Sequence, residues 1–193
     1  MKKLPISDLE GKRILLVPLN ESHIPAMFEY SCMPEFYKHM EGLPHQNIEE
    51  TKKYFRKLMD FIDSGALFWA VIKKDINKTI GTIGIRKIDH EELTGELGLG
   101  ISPLFWNMGY PKEIIYLALE YFFNTLGYKK VYSYTSYKNK GAVRYLKYMG
   151  YDNYSTIPDY YKKHDGTLYD AIRAELTIEN LNNNPLLKSF AKN

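Results

Sequence analysis

The segment 106–111 is the first part of the chain whose residue types suggest chemistry. It reads WNMGYP and joins a predicted strand to a predicted helix. Such a turn exposes successive backbone N–H groups at the positive end of a helix dipole, where a pyrophosphate binds well. Asn107 can adopt a left-handed conformation, and Gly109 allows a ligand to approach the backbone closely. A turn of this kind is common, so by itself it indicates a phosphate site only weakly.

A second motif follows at a defined distance. Asn139 lies 30 residues after Gly109, and Gly150 and Tyr151 lie 11 and 12 residues after Asn139. The segments WNMGYPKE and NKGAVRYLKYMGY resemble two motifs of the GNAT superfamily of N-acetyltransferases, and most of all the branch that acetylates ribosomal-protein N-termini. The resemblance extends over residues 12–176. It implies transfer of an acetyl group from acetyl-CoA, as co-substrate, to a primary amine in a ternary complex.

The resemblance also implies which residues contact acetyl-CoA. Its pyrophosphate is expected on the backbone amides of the 106–111 turn, with a lysine beside them. Its pantetheine arm is expected to pair like an additional strand at the end of the preceding strand. The motif asparagine is expected near the pantetheine, although a plain helix cap would explain that residue equally well. The expected contacts are Gly100, Ile101, Met108, Gly109, Tyr110, Lys112 and Asn139.

Three positions depart from the family pattern. Leu104 stands where relatives often have Arg or Gln, and Asn107 replaces the first motif glycine. Pro111 replaces a small residue and has no N–H to donate. Asparagine is the best non-glycine residue for a left-handed turn, so we expect the loop shape and acetyl-CoA binding to be retained. The alternative is a GNAT-fold binding module that has lost catalysis.

Glu96 is the first candidate for a catalytic residue. An amine at neutral pH is mostly protonated, so the enzyme must remove a proton before the nitrogen can attack a thioester. Many GNAT relatives use a glutamate near this strand as the base, and Glu96 lies there in GELGLGIS. A surface carboxylate at a strand edge is the simpler interpretation. No general acid is assigned, because Leu146 stands where other branches have a tyrosine and Tyr145 should point elsewhere.

The acceptor amine is expected in a groove rich in aromatic residues. Of the 17 tyrosines, 14 lie between Tyr110 and Tyr169, which indicates a polar-rimmed groove in that half of the chain. GNAT relatives also line this groove with the loop between the first two helices. A protein N-terminus, an amino sugar, a polyamine and an aminoglycoside all present a suitable amine. The expected groove residues are Phe36, Tyr37, Tyr154, Tyr160 and Tyr161.

The composition excludes several other classes of protein. The 193 residues carry a formal charge of +3 and are 45% hydrophobic, which argues against a disordered chain and against a generic nucleic-acid binder. Cys32 is the only cysteine, so an intrachain disulfide and a multi-thiolate zinc site are excluded, and no metal is expected. With no apolar run long enough for a signal peptide or a membrane span, we expect a cytoplasmic protein, monomeric or homodimeric, without membrane or nucleic-acid partners.

The elements that must position these residues follow from hydrophobic periodicity and from Gly, Pro and capping residues. Their predicted order is β-α-α-β-β-β-α-β-α-β-β. Three consecutive central strands should pair antiparallel, and the following strand–helix–strand unit should add a parallel neighbour. The predicted fold is therefore a single α/β domain, 1–193, with a mixed, mostly antiparallel sheet flanked by helices. Its core is predicted at about 12–176, with loose ends at about 1–10 and 182–193.

Overall fold

An eight-stranded sheet forms the centre of the molecule in the computed structural model, which describes residues 3–187 and 190. The strand order across the sheet is β1-β2-β3-β4-β5-β6-β8-β7. Neighbouring strands pair antiparallel except for the β5–β6 pair, which is parallel. The strands are β1 Leu9–Glu10, β2 Ile14–Pro18, β3 Leu67–Lys73, β4 Lys78–Asp89, β5 Thr94–Ile101, β6 Lys130–Ser136, β7 Asp152–Lys162 and β8 Leu168–Thr177.

Helices cover both faces of the sheet. α3 and α4 pack into the larger core with the central strands, whereas α1 and α2 pack on the other face around Phe68 and Ala70. Asn47 and Asn139 cap α2 and α4 through their side chains, as their positions in the sequence predict. The helices are α1 Ile24–Ser31, α2 Ile48–Asp63, α3 Tyr110–Glu120, α4 Lys140–Met149 and α5 Ile178–Asn183, and a π-helical turn, Tyr121–Thr125, extends α3.

The predicted fold class and element order are confirmed. The structure adds the short strand β1 at the N-terminal end and the helix α5 after the last strand, neither of which the sequence predicts. In the described part of the chain, no helix is both long and apolar enough to cross a lipid bilayer.

Residues 4–10 differ from the prediction of a loose N-terminal end. Leu4 and Ile6 pack against the larger core, and β1 pairs with β2. The carbonyl of Ser7 accepts a hydrogen bond of 2.9 Å from the indole of buried Trp69. This segment is therefore part of the fold, because a buried indole N–H requires a partner and finds it in this backbone. The predicted loose C-terminal end, 182–193, lies partly outside the described residues.

The sheet opens at its centre. β5 and β6 pair only from Thr94–Lys130 to Glu96–Tyr132, and no further β5–β6 pair forms in the part of the chain that the structure describes. Beyond that point β6 continues beside β8, while β5 continues beside β4. Gly98 is consequently exposed in the middle of an eight-stranded sheet. The structure thus leaves a cleft between two central strands.

Candidate active site

The loop after β5 has the conformation that its residues predict. Asn107 has a φ of 61° and Gly109 a φ of 75°, so both are left-handed. Gly109 precedes the first turn of α3, and no described atom beyond its chain neighbours lies within 4 Å of the position where a Cβ on Gly109 would be. A ligand can therefore approach this backbone closely, as a pyrophosphate at a helix N-terminus must.

Arg13 on the N-terminal side of β2 holds this loop. Its guanidinium donates to the carbonyl oxygens of Met108, at 3.1 Å, and Gly109, at 3.2 Å. In a trans peptide the N–H points opposite to the C=O. The amides of Gly109 and Tyr110 therefore point away from Arg13, which is the orientation that an anion-binding loop needs.

Glu113 in the first turn of α3 holds Arg13 in turn. One carboxylate oxygen accepts the backbone N–H of Arg13 at 2.7 Å and that of Ile14 at 3.3 Å. The other oxygen accepts the Arg13 Nε–H at 3.0 Å, and the Glu113 side chain is buried. The sequence contains Glu113 in the motif WNMGYPKE, but nothing in the spacing indicates a partner 100 residues earlier.

Two other expected contacts lie on α3 and α4. The Lys112 ammonium of α3 lies 3.5 Å from the centre of the Tyr148 ring of α4. The Asn139 side-chain oxygen accepts the Ala142 N–H at 3.0 Å, so this residue is a helix cap. The cap uses the oxygen of the Asn139 side chain. Contact between the amide nitrogen of the same side chain and acetyl-CoA stays a prediction.

The end of β5 forms one wall of the cleft. Gly100 and Ile101 pair with Thr82 and Gly81 of β4, while their other side faces the region where β6 has diverged. The indole of Trp106 donates to the carbonyl of Ile101 at 2.9 Å and thereby ties the loop to the strand. Leu104, at the position where relatives often have Arg or Gln, is exposed.

Glu96 is a buried carboxylate that binds two cations. Its Oε1 accepts from Arg86 Nε at 2.8 Å and Arg86 Nη2 at 2.5 Å, and its Oε2 lies 2.7 Å from Lys87 Nζ. Burial by itself would raise the pKa of Glu96, but the hydrogen bonds from Lys87 and Arg86 outweigh it and lower the pKa. In this arrangement Glu96 is a weak base, and its catalytic role stays a prediction.

Aromatic rings lie beside Glu96. The Tyr160 ring of β7 stacks on Tyr134 of β6 with a centroid distance of 5.2 Å, and the Tyr161 ring meets Tyr160 edge-on at 5.0 Å. Burial, followed by the charge of Glu96, raises the pKa of Tyr160. The charge of Glu96 acts on the pKa of both Tyr160 and Tyr161, so the three residues lie near one another, and Tyr134 joins them through its stack on Tyr160.

The loop between α1 and α2 covers the same face of the sheet. The Phe36 ring lies over Gly100, since a Cβ on that glycine would be 3.1 Å from the ring. The Tyr37 hydroxyl is 3.0 Å from His45 Nε2, and His45 Nδ1 is 2.8 Å from the Thr51 hydroxyl. Burial raises the pKa of Tyr37 above its usual range.

This loop also reaches the tip of the β7–β8 hairpin. The Glu41 carboxylate accepts a 3.1 Å hydrogen bond from the Lys162 backbone N–H. The expected groove residues Phe36 and Tyr37 are therefore on the loop that meets the strand carrying Tyr160 and Tyr161.

Tyr154, also expected in the groove, is exposed and lies near Tyr151. Burial and the neighbouring Asp152 raise its pKa, and it lies close enough to Tyr151 to contribute to the raised pKa of that residue. The Tyr151 hydroxyl is 2.9 Å from Ser133 Oγ, in the core with α3 and α4. The high tyrosine content also proves to be partly structural, since five of the 14 clustered tyrosines are buried core residues: Tyr110, Tyr121, Tyr128, Tyr151 and Tyr169.

A metal site is not evident in the described residues, where no three His, Cys, Asp or Glu side chains are grouped closely enough to hold an ion. The arrangement is an α/β fold with a left-handed loop before α3, at the end of a central strand, and a cleft beside a buried carboxylate.

Comparison with known proteins identifies the class. The family model for the acetyltransferase (GNAT) domain matches residues 13–152, which are 140 of the 193 residues. The chain therefore belongs to the GNAT family and is an acetyltransferase. Acetyl-CoA is the acetyl donor of this family.

Individual relatives agree with this assignment. The chain is 25% identical over 166 residues to the uncharacterized N-acetyltransferase YoaA of Bacillus subtilis (strain 168), with 84% of this chain and 92% of YoaA covered. A GCN5-related N-acetyltransferase from Brucella melitensis has the same fold, with a TM-score of 0.83 and 21% identity over 97% of this chain and 85% of that one. A spermidine N-acetyltransferase from Vibrio cholerae, solved with CoA and spermine, has a TM-score of 0.76 and 18% identity over 89% of this chain and 99% of that one.

Proposed function

We propose that this acetyltransferase transfers the acetyl group of acetyl-CoA to a primary amine that enters the cleft over Gly98. The observation that carries the proposal is the exposed floor at Gly98 beside the buried carboxylate of Glu96. Beyond the chain neighbours of Gly98, no described atom lies within 4 Å of the position that a Cβ on this residue would take. The anion-binding loop begins only a few residues further along the same chain. A donor held by that loop and an acceptor held near Glu96 would meet over β5.

The donor side of the cleft suits acetyl-CoA. The backbone amides at 108–110 and the side chain of Lys112 would bind the pyrophosphate, since Arg13 turns the loop carbonyls to the opposite side. The pantetheine would lie along Gly100 and Ile101, where β6 no longer covers the strand. Asn139 would contact the donor through its amide group while its oxygen caps α4.

The acceptor side of the cleft suits a cationic amine. The rings of Tyr160 and Tyr161 provide aromatic faces that attract ammonium groups, and the carboxylate of Glu96 already binds such a group, that of Lys87. Phe36 and Tyr37 would close the groove from the α1–α2 loop, and Tyr154 would lie further out. A polyamine, an amino sugar, an aminoglycoside or a protein N-terminus, as in the ribosomal-protein branch, would each present this group.

The reaction needs one base and no covalent intermediate. The bound ammonium gives one proton to the base, for which Glu96 is the candidate, and the free nitrogen then attacks the thioester carbonyl. A C–N bond forms and the C–S bond breaks. The second nitrogen proton is transferred to the sulfur, so the products are an amide, free CoA thiol and one released proton.

A pair of loop variants tests the donor site. Gly109→Val should abolish acetyl-CoA binding, because a β-branched residue is strained at a φ of 75° and its side chain would fill the space of the pyrophosphate. Asn107→Gly should preserve or improve the affinity, because glycine adopts the left-handed conformation without strain. Calorimetric titration with acetyl-CoA measures both.

Release of free thiol on a panel of primary amines tests the transfer itself. Turnover on at least one amine is expected. Tight acetyl-CoA binding without turnover on any amine would instead support a binding module, and unaltered binding to Gly109→Val would refute the proposed donor site.

A further inference from the structure

The Glu96 carboxylate forms an ion pair with a primary alkylammonium group of the protein itself, the side chain of Lys87. Lys87 Nζ lies 2.7 Å from Glu96 Oε2. The Lys87 side chain is 64% exposed, whereas that of Glu96 is 8% exposed. The ammonium of Lys87 therefore reaches the buried carboxylate from solvent, and Gly98, two residues after Glu96 on β5, is exposed as well.

The backbone of β4 is irregular at the point that makes this contact possible. Successive side chains of a regular strand point to opposite faces, yet Arg86 and Lys87 both reach Glu96. The β4–β5 register shifts between Arg86 and Asp89, and Lys87 has a φ of 49°. A bulge with a left-handed lysine is unfavourable without a compensating contact. The irregular backbone thus places a second cation on a carboxylate that Arg86 already binds.

The two cations hold different oxygens of Glu96. Arg86 donates twice to Oε1 and is the cross-strand neighbour of Glu96, so it is built into the β4–β5 pair. Lys87 contacts Oε2 and is the more exposed of the two. Oε2 is thus the oxygen that an incoming cation can reach, provided that Lys87 leaves it.

We propose that the ammonium of the acceptor binds Glu96 Oε2 in place of Lys87, so that Lys87 is a resident competitor that sets the affinity for the acceptor. The proposal rests on the proposed function and narrows its acceptor to a primary alkylamine, the chemical group that Lys87 itself carries. Tyr160 lies beside the same carboxylate and provides an aromatic wall for either occupant.

The exchange would keep Glu96 ionised. Burial by itself would raise the pKa of Glu96, but the hydrogen bonds from Lys87 and Arg86 lower it. The acceptor ammonium would replace the hydrogen bond and the charge of Lys87, so the carboxylate would stay a charged partner for the acceptor.

Binding of 1,4-diaminobutane to the full-length protein tests the proposal without requiring turnover. Calorimetry is performed on the wild type and on Lys87→Met, which keeps an unbranched side chain and removes the charge, with and without CoA. The expected result is about fivefold tighter binding to Lys87→Met, equal to about 1 kcal/mol, because no exposed ion pair has to be broken. The affinity for CoA should not change.

Two further variants test whether the effect is specific to Lys87 and depends on the charge of Glu96. Lys147→Met removes an exposed lysine on α4, on the other face of the sheet, and should leave diamine binding unchanged. Glu96→Gln should weaken diamine binding, and in that background Lys87→Met should have no further effect.

Equal or weaker diamine binding to Lys87→Met, or an unchanged Lys87 effect in the Glu96→Gln background, would overturn the proposal. Absence of acetyl-CoA binding and of thiol release would instead refute the proposed function, while the diamine measurements would still decide the role of Lys87.

Discussion

The charge state of Glu96 depends on residues from the neighbouring strand. Its carboxylate is buried and would by itself be easier to protonate, but Arg86 and Lys87 bind it from β4 and lower its pKa. Because the folded pKa lies below the ordinary value of 4.5, the ionised carboxylate stabilises the folded state. The stabilisation is complete above pH about 4.5 and is lost as the pH falls through the lowered folded pKa.

A comparison with Glu96→Gln isolates this contribution. The wild type should exceed the variant in free energy of unfolding at pH 7, and the difference should shrink as the pH falls below 4.5, because only the wild type loses the ionised carboxylate. Urea denaturation followed by tryptophan fluorescence at pH 7, 5 and 3.5 measures the difference. Glu92→Gln, in the exposed β4–β5 loop, is the charge-matched control. A difference that is constant with pH would contradict the assignment.

At the level of secondary-structure elements, β2 positions the loop that precedes α3. Arg13 binds two loop carbonyls through its planar guanidinium, and Glu113 of α3 binds the Arg13 guanidinium and the backbone amides of Arg13 and Ile14. Two segments that are distant in the sequence, the start of β2 and the loop with the first turn of α3, are thereby held in one arrangement. The geometry of the proposed anion site would depend on this clamp as much as on the loop residues.

Replacement of Arg13 by lysine tests the clamp. Lysine keeps the charge but lacks the planar fork that reaches both carbonyls and the carboxylate. We expect acetyl-CoA binding to weaken roughly tenfold, equal to about 1.4 kcal/mol, in calorimetric titration. The control is Arg56→Lys on the exposed side of α2. Unchanged binding in Arg13→Lys would show that the loop keeps its shape without the clamp.

Replacement of Glu113 by alanine tests the other half of the same contact. It leaves two backbone N–H groups and the Arg13 Nε–H without their acceptor, so the free energy of unfolding should fall by about 2 kcal/mol. Chemical denaturation measures this change. A loss as small as that of a typical exposed substitution would mean that water replaces the carboxylate.

For the whole molecule, the N-terminal segment closes one end of the large core. Leu4 and Ile6 pack against it, and the carbonyls of Pro5 and Ser7 accept hydrogen bonds from Tyr121 and Trp69. These partners belong to β3 and to the end of the α3 helix. The segment therefore stabilises the sheet far from the cleft, even though its sequence resembles a loose extension.

Deletion of residues 1–8 tests this role. Loss of two hydrogen bonds and of two partly buried apolar side chains should lower the free energy of unfolding by roughly 3 kcal/mol. Thermal and urea denaturation measure the change, and acetyl-CoA affinity serves as the functional control, since none of the deleted residues is a proposed acetyl-CoA contact. Unchanged stability would show that residues 4–8 contribute little to the fold.

The sequence by itself determined the order of the elements, the caps at Asn47 and Asn139 and the left-handed turn at Asn107 and Gly109. These features depend on periodicity and on local backbone preferences, which a few neighbouring residues specify. The sequence also indicated Glu96 as a candidate base, through resemblance to a family, and Tyr160 and Tyr161 as candidate groove residues, through the clustering of tyrosines.

Tertiary structure alone decided what surrounds these residues. Arg13 meets Glu113 across 100 positions, and Lys87 meets Glu96 only because a bulge shifts the register of β4 against β5. Such contacts depend on strand register and on where β5 and β6 diverge, and the energies that set these are spread over the whole core rather than encoded in local spacing.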